Sequence, residues 1–262
     1  MSRFLLGTAV VLLCVGRALA QGGPPMRTDD PGTPGNGNVE INLALGSERS
    51  VSERSFETPI LDMNYGVGER IQLNFQVAYE VHGTDEAATQ TGLSNSSAAV
   101  KWRFVDSKDH DLQISTYPRL DFNNPTASVR RGIADRGVRF LLPIEVTKKL
   151  GPIDLNVEGG YAFKQYGSNE YIAGVVLGRE ISKSWEVMGE LYSTGTTDGL
   201  ERDQTLGAGT RYRLGHHVLL IIMAARGVGR SAVEQPHFVG YAGLQFSFAS
   251  RHNSKANEEP KE

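Results

Sequence analysis

The chain of 262 residues has one cysteine, Cys14, and no surplus of positive charge, with 27 Lys and Arg against 30 Asp and Glu. It also lacks a long apolar run. The stretch Phe4 to Val15 falls short of the roughly 20 residues that a spanning helix needs. Each absence excludes something. A single cysteine rules out a disulfide scaffold, and Cys14 sits in no convincing lipoprotein box. A chain without a basic patch or stripe is not a binder of nucleic-acid phosphates. The membrane helix has one competing segment, the N-terminus, and that segment reads better as an export signal. Arg3 supplies the positive start, Phe4 to Val15 the apolar centre, and Ala18-Leu19-Ala20 the small-residue cleavage site.

Cleavage after Ala20 removes the cysteine, and with it any thiolate chemistry. Losing Arg3 and Arg17 as well moves the formal net charge from −3 to −5. The expected organisation is a signal peptide over 1–20, an irregular Gly/Pro-rich leader over 21–38, one β domain over 39–248, and a polar tail over 249–262.

What fills the β domain is alternation. Between Arg70 and His82, Ile71, Leu73, Phe75, Val77, Tyr79 and Val81 are apolar. Gln72, Asn74, Gln76, Glu80 and His82 are polar, with Ala78 the exception. Successive side chains of a strand point to opposite faces, so this ribbon has two unlike sides. It is longer than the about 5 or 6 residues of a soluble strand and matches the about 9 to 11 that cross a bilayer at a tilt.

The pattern recurs about twelve times. The first strands are expected at Val39 to Leu45 and Phe56 to Tyr65, and two more at Ser94 to Phe104 and Leu112 to Phe122. Later ones carry the apolar sets Val138 to Val146, Leu155 to Phe163, Trp185 to Leu191, Leu206 to Leu214 and Phe238 to Phe248. The eighth, Tyr171 to Arg179, has no clear phase, and the eleventh, Val218 to Ala225, is apolar throughout. Connections after even strands are short, and those after odd strands mostly long, with one short exception near Gly167. Tight periplasmic turns and longer external loops give an outer-membrane barrel that asymmetry. Tyr65, Phe104, Trp185, Tyr212 and Phe248 fall beside the short turns, and Tyr79, Phe122, Phe163 and Phe238 toward the other rim, as two girdles would. Large aromatics also fill soluble β cores, so the girdles gain weight only with strand length and loop parity. The expected fold is all-β, a closed antiparallel transmembrane β-barrel of about twelve strands in the outer membrane of a Gram-negative-type envelope. A mean hydropathy of −0.30 is compatible with it, because the lumen and loops are polar.

The leader Pro24-Pro25-Met26-Arg27-Thr28-Asp29-Asp30-Pro31-Gly32-Thr33-Pro34-Gly35, running into Val39-Glu40-Ile41-Asn42, resembles the opening of the outer-membrane family named for the meta-cleavage pathway of phenol degradation. Tyr65-Gly66-Val67-Gly68-Glu69-Arg70 and Val100-Lys101-Trp102-Arg103-Phe104 extend the resemblance over the mature chain. It implies a transporter-like barrel of this size, porin-like in class, with small hydrophobic or aromatic solutes and no catalytic residues to carry over. Such barrels end on an aromatic. Here Phe246 and Phe248 keep the alternation that the barrel-assembly machinery reads, but a polar tail follows.

Charges on the polar faces must point inward, since Arg or Lys at the bilayer midplane costs about 2 to 4 kcal/mol. The expected lumen-lining set is Glu40, Asp62, Glu80, Lys101, Arg103, Arg119, Arg139, Glu145, Glu158, Glu190 and Arg211. These residues either line a pathway for solute or pair across a sealed lumen. The leader either enters as a plug, with Asp29 and Asp30 meeting Arg119 or Arg211, or stays a loose periplasmic segment. A channel or transporter-like protein is the first reading. A structural or adhesive surface barrel is the alternative, and an outer-membrane hydrolase a further one. The hydrolase would need a nucleophile, base and orienting group together. His82, His110, His216, His217, His237 and His252 stand in no such pattern, and no metal, cofactor or enzyme activity is expected. Outer-membrane lipid is the expected surrounding partner.

Overall fold

The computed structural model describes residues 25–85, 88–123, 126–228 and 235–249. The export signal with Cys14, the start of the leader, His252 and the tail from residue 250 lie outside the described residues. The chain forms β1 (Val39–Arg49), β2 (Glu53–Val67), β3 (Ile71–Thr84), β4 (Gln90–Leu93), β5 (Ser96–Ser107), β6 (Leu112–Thr116), β7 (Arg119–Phe122), β8 (Val138–Leu150), β9 (Ile153–Lys164), β10 (Glu170–Ser182), β11 (Trp185–Thr196), β12 (Arg202–Arg213), β13 (Val218–Gly227) and β14 (Phe238–Phe248). One short helix, α1 (Thr126–Arg130), lies between β7 and β8.

Every pairing is antiparallel, and β1 pairs with β14 from Val39↔Phe248 to Arg49↔Phe238, which closes the sheet. β4 and β5 are two pieces of one stave against β3, and β6 and β7 two pieces of one stave between β5 and β8. The barrel therefore has twelve staves. The break at Tyr117-Pro118 has a local cause. Proline has no N–H for the ladder, although its carbonyl still accepts from Val100 N at 3.1 Å. Tyr117 meanwhile turns inward and is buried.

The barrel wears its apolar residues outside, the reverse of a soluble protein. Trp102 is 53% exposed and Leu177 53%, whereas Lys101 and Glu145 are both 0% exposed. Tyr65, Phe104, Trp185, Tyr212 and Phe248 are all exposed toward the end with the short turns, and Tyr79, Phe163 and Phe238 toward the opposite end. Two phases that periodicity left open are settled by packing. On β10, Ile172, Gly174, Val176 and Gly178 face in and Val175 and Leu177 out. On β13, Leu219, Ile221, Met223 and Ala225 face in and Ile222 out. The loop-parity rule has two further exceptions, since the link from β1 to β2 is only 50–52 and that from β11 to β12 is 197–201, no longer than 165–169.

A lumen occupied by the N-terminal segment

From Asn38 back toward Pro25, the leader folds into the barrel. It enters at the end of the short turns. There Gly37 N donates to Gly66 O at 2.8 Å and Gly66 N to Asn38 O at 2.9 Å. The approach is so close that a Cβ on Gly66 would lie 1.8 Å from Gly35 O, so only glycine fits. Thr33 Oγ1 donates to Glu69 O at 2.9 Å and ties the segment to the first turn, and Arg103 Nη2 of β5 donates to the same carbonyl at 2.7 Å.

Deeper in, backbone groups removed from water need partners. Pro25 and Pro31 are almost fully buried and bring no donor. Two N–H groups meet carboxylates of the wall, Thr28 N donating to Glu190 Oε1 at 2.7 Å and Asp29 N to Glu158 Oε2 at 3.0 Å, and two meet the leader's own carboxylates, Asp30 N donating to Asp29 Oδ1 and Gly32 N to Asp30 Oδ1, both at 2.8 Å. Room for Thr28 comes from Gly174, where a Cβ would lie 2.0 Å from Thr28 Oγ1. Gly209 opens similar space for Met26.

Lys101 is the hub. Its Nζ sits 2.9 Å from Asp29 Oδ1 and 3.5 Å from Glu145 Oε2, and donates to the carbonyl of Asp30. The ring of Tyr117 lies under it, 4.7 Å from Nζ to the centroid. Glu145 also accepts from Ser115 Oγ at 2.5 Å. A fully buried ammonium with two carboxylates, a carbonyl and a ring face has the compensation that burial demands. Asp30 is held from the other side by Arg211 at 3.6 Å, which also reaches Glu186 at 3.4 Å. Arg27 stacks over Tyr192, 4.5 Å from its centroid. Asp29 thus meets Lys101 where the sequence pointed to an arginine, and Arg119 pairs with Asp121 at 3.1 Å.

The other candidates form two groups, and two of them stand apart. Arg139 bridges Asp121 and Glu170 at 2.8 Å each, with Lys164 2.7 Å from Glu170, an ion ladder from β7 to β10 toward the loop end. Asp62 heads an amide cluster, accepting from Asn42 at 3.0 Å and Asn74 at 2.5 Å, while Gln72 donates to Asn64 Oδ1 at 2.7 Å. Glu40 is buried on β1, and Glu80 lies 3.5 Å from His82. Periodicity put Asn42, Asn64, Gln72, Asn74, Ser115 and Tyr117 on polar faces without marking them as site residues. A run of uncharged amides at every second position was the available signal. Tyr192, Ile172 and Ile221 carried none, because inward apolar residues look like outward ones.

The leader lies between two cavities. One, of about 340 Å³ at the turn end, is lined by Asp30, Asp106, Lys149, Asp154, Glu186 and Arg211 among others. The second, of about 460 Å³ toward the loops, is bordered by Pro25 to Arg27 and Asp29 of the leader. One of its walls is the amide cluster, and apolar side chains including Ile60, Leu141, Ile172, Tyr192 and Met223 line it together with charged ones such as Glu57, Arg119 and Glu158. The histidines are scattered: His217 Nδ1 lies 3.1 Å from Ser247 O, and His110, His216 and His237 are exposed. Among the described residues no group of His, Cys, Asp and Glu could hold a metal ion.

No family model matches the sequence, and none of the curated proteins does. Solved structures do resemble it. An outer membrane channel from Pseudomonas putida F1 superposes with a TM-score of 0.66 at 11% identity, covering 81% of this chain and 96% of that one. The NanC porin gives 0.58 at 8% identity over 79% and 98%. The KdgM porin gives 0.55 at 10% identity over 80% and 100%. The shared feature is the fold, that of an outer-membrane barrel. Together with the apolar belt and the polar interior it places the chain in the outer membrane.

Proposed function

We propose that the protein is an outer-membrane channel held shut by its own N-terminal segment, and that it passes small neutral or cationic solutes with an apolar face when the segment withdraws. One observation carries this reading: the leader fills the lumen between two cavities and is pinned there by Lys101. A strand barrel of this size needs no such filling to stay closed as a sheet, because its backbone pairing is complete around the wall.

The loop-side cavity supports the solute class. Five carboxylates border it (Asp29, Glu48, Glu57, Asp62 and Glu158) against two guanidinium groups, Arg27 and Arg119. A cleft with that balance repels anions and concentrates cations. One structure of the KdgM porin holds an oligogalacturonate, a polyanion, and the charge balance argues against carrying such a substrate over. The apolar wall, and the resemblance of the leader to the phenol meta-cleavage family, favour small apolar or aromatic solutes.

Single-channel conductance of the refolded mature chain and of a variant lacking residues 21–37 tests the reading. The variant is expected to show larger, cation-selective openings. If it retains heat-modifiable mobility yet conducts no more than the parent, the channel reading fails. The chain is then a structural or adhesive surface barrel, an alternative that the density of contacts pinning the leader favours.

A further inference from the structure

Near the loop end, the outer face carries a row of arginines that solute passage does not use. Arg49 pairs with Phe238 on one side and with Arg54 on the other. The register of β13 with β14 ends at Ala225↔Val239, so Arg226 stands next, beside Phe238. Alternation fixes their direction. Glu48, Ser55 and Tyr241 border the loop-side cavity and Ala225 is buried inside, so Arg49, Arg54, Phe238 and Arg226 point away from the lumen. At about 4.8 Å per strand, the three arginines span about 14 Å of the outer wall.

Two contacts show how the row lies. A Cβ on Gly83 would be 3.4 Å from Arg54 Nε, so this guanidinium rests on the barrel surface. A Cβ on Gly240 would be 2.8 Å from the ring of Phe238, which lies flat in the same way. On the bilayer side of the row the exposed residues Leu45, Phe56 and Ile222 are apolar, and Leu206 stands opposite Arg226 at the end of the row. The arginines therefore mark the edge of the apolar belt.

Like charges directly opposite one another across strands destabilise a sheet, and Arg49 faces Arg54. Asp85 relieves this little. It lies 3.9 Å from Arg54, and the two side chains are 70% and 68% exposed. Among the described residues neither Arg49 nor Arg226 has a carboxylate within 4.0 Å. Three cations in register, short of counter-ions and level with the headgroups, are complementary to an anion supplied by the membrane itself.

We propose that Arg49, Arg54 and Arg226, with Phe238 between them, bind the phosphate-bearing headgroup of an outer-leaflet lipid. Guanidinium forks take phosphate oxygens in pairs. Phe238 packs against the apolar part of the same molecule, as aromatics at the membrane interface do.

The test uses the refolded mature chain in phosphatidylcholine nanodiscs, with diphosphorylated lipid A and its dephosphorylated form as probes and retained lipid read by native mass spectrometry. The parent is expected to prefer the phosphorylated probe by about tenfold or more, and the R49Q/R54Q/R226Q variant to lose that preference. R226Q alone, which leaves the Arg49 and Arg54 pair intact, should lose part of it and decides the matter if the triple variant lacks heat-modifiable mobility. Equal retention of both probes by the parent, or a preference surviving in the variants, overturns the proposal. So does displacement of the lipid by equimolar inorganic phosphate, which would make the row a site for free anions.

Discussion

Two sectors of the inner wall face the same lumen with opposite chemistry. On β1 to β3 the inward positions toward the turns are Asn42, Asp62, Asn64, Gln72 and Asn74, linked to one another through the Asp62 carboxylate and the Asn64 amide, with a small apolar cluster of Ala44, Ile60 and Ala78 beyond them toward the loops. On β13 they are Leu219, Ile221, Met223 and Ala225, all nearly inaccessible. Below the arginine row the outer faces of both sectors are alike and apolar. The bilayer thus dictates one side of every strand, and the other side is shaped by whatever lies against it. Beside β12 and β13 that is Pro25 and Met26 of the leader, and beside β1 to β3 it is the open part of the loop-side cavity.

The contrast can be broken in several ways. The largest effect is expected from Lys101→Met, which serves neither wall and leaves the buried Glu145 and the half-buried Asp29 without their cation. Losing one partner of such a group costs about 3 to 5 kcal/mol. Urea unfolding followed by heat-modifiable mobility should show that loss, and conductance should rise as the leader loosens. Unchanged stability would mean that the hub is not one.

Exchanging wall chemistry comes next. Ile221→Asn places an amide among apolar neighbours, and Asn64→Leu strips Gln72 and Asn74 of an acceptor. Each should cost about 1 to 3 kcal/mol in the same unfolding assay. If either is silent, the two sectors are less distinct than their contacts imply. Gly174→Val acts on the leader alone, because a Cβ there overlaps Thr28. Labelling of a cysteine introduced at position 29 should become several-fold faster than in an otherwise identical chain that keeps Gly174, with strand pairing preserved.

The smallest effect lies outside the membrane. Asp198, in the 197–201 loop, is held down at about 2 by hydrogen bonds from Ser168, Thr196 and the Leu200 amide. Its ordinary value is 3.8, so the loop gains from the ionised form above that value and loses the gain as pH falls through about 2. Asp198→Asn should remove this acid transition from Leu200 amide exchange, corrected for intrinsic rates, without altering conductance.

How far the sequence carried differs with the same contrast. β3 and β5 were legible because their inner faces are polar and their outer faces apolar, so period two stands out. β13 was not, since apolar residues occupy both sides and leave no phase. The inward direction of Lys101, Glu145 and Arg211 followed from the cost of charge in hydrocarbon. Their partners did not, because pairing depends on which strands curve to face each other across the lumen. Nor did the path of the leader. It depends on clearances at Gly66, Gly174 and Gly209, and a lone glycine in a strand reads equally as a weak point or a bulge. At Tyr117-Pro118 alternation put the tyrosine on the polar face, where it lies, but Leu112 to Phe122 read as one unbroken strand, and the break into β6 and β7 was not legible.

Closure by β1 against β14 has a kinetic consequence. The seam joins residues 39–49 to residues 238–248, so the two edges meet only after nearly the whole chain is available, and so distant a contact forms slowly. Until then the sheet is open along both edges, and the leader, attached directly to β1, rides on one of them. The last strand to zip thus encloses a passenger already fastened to the first.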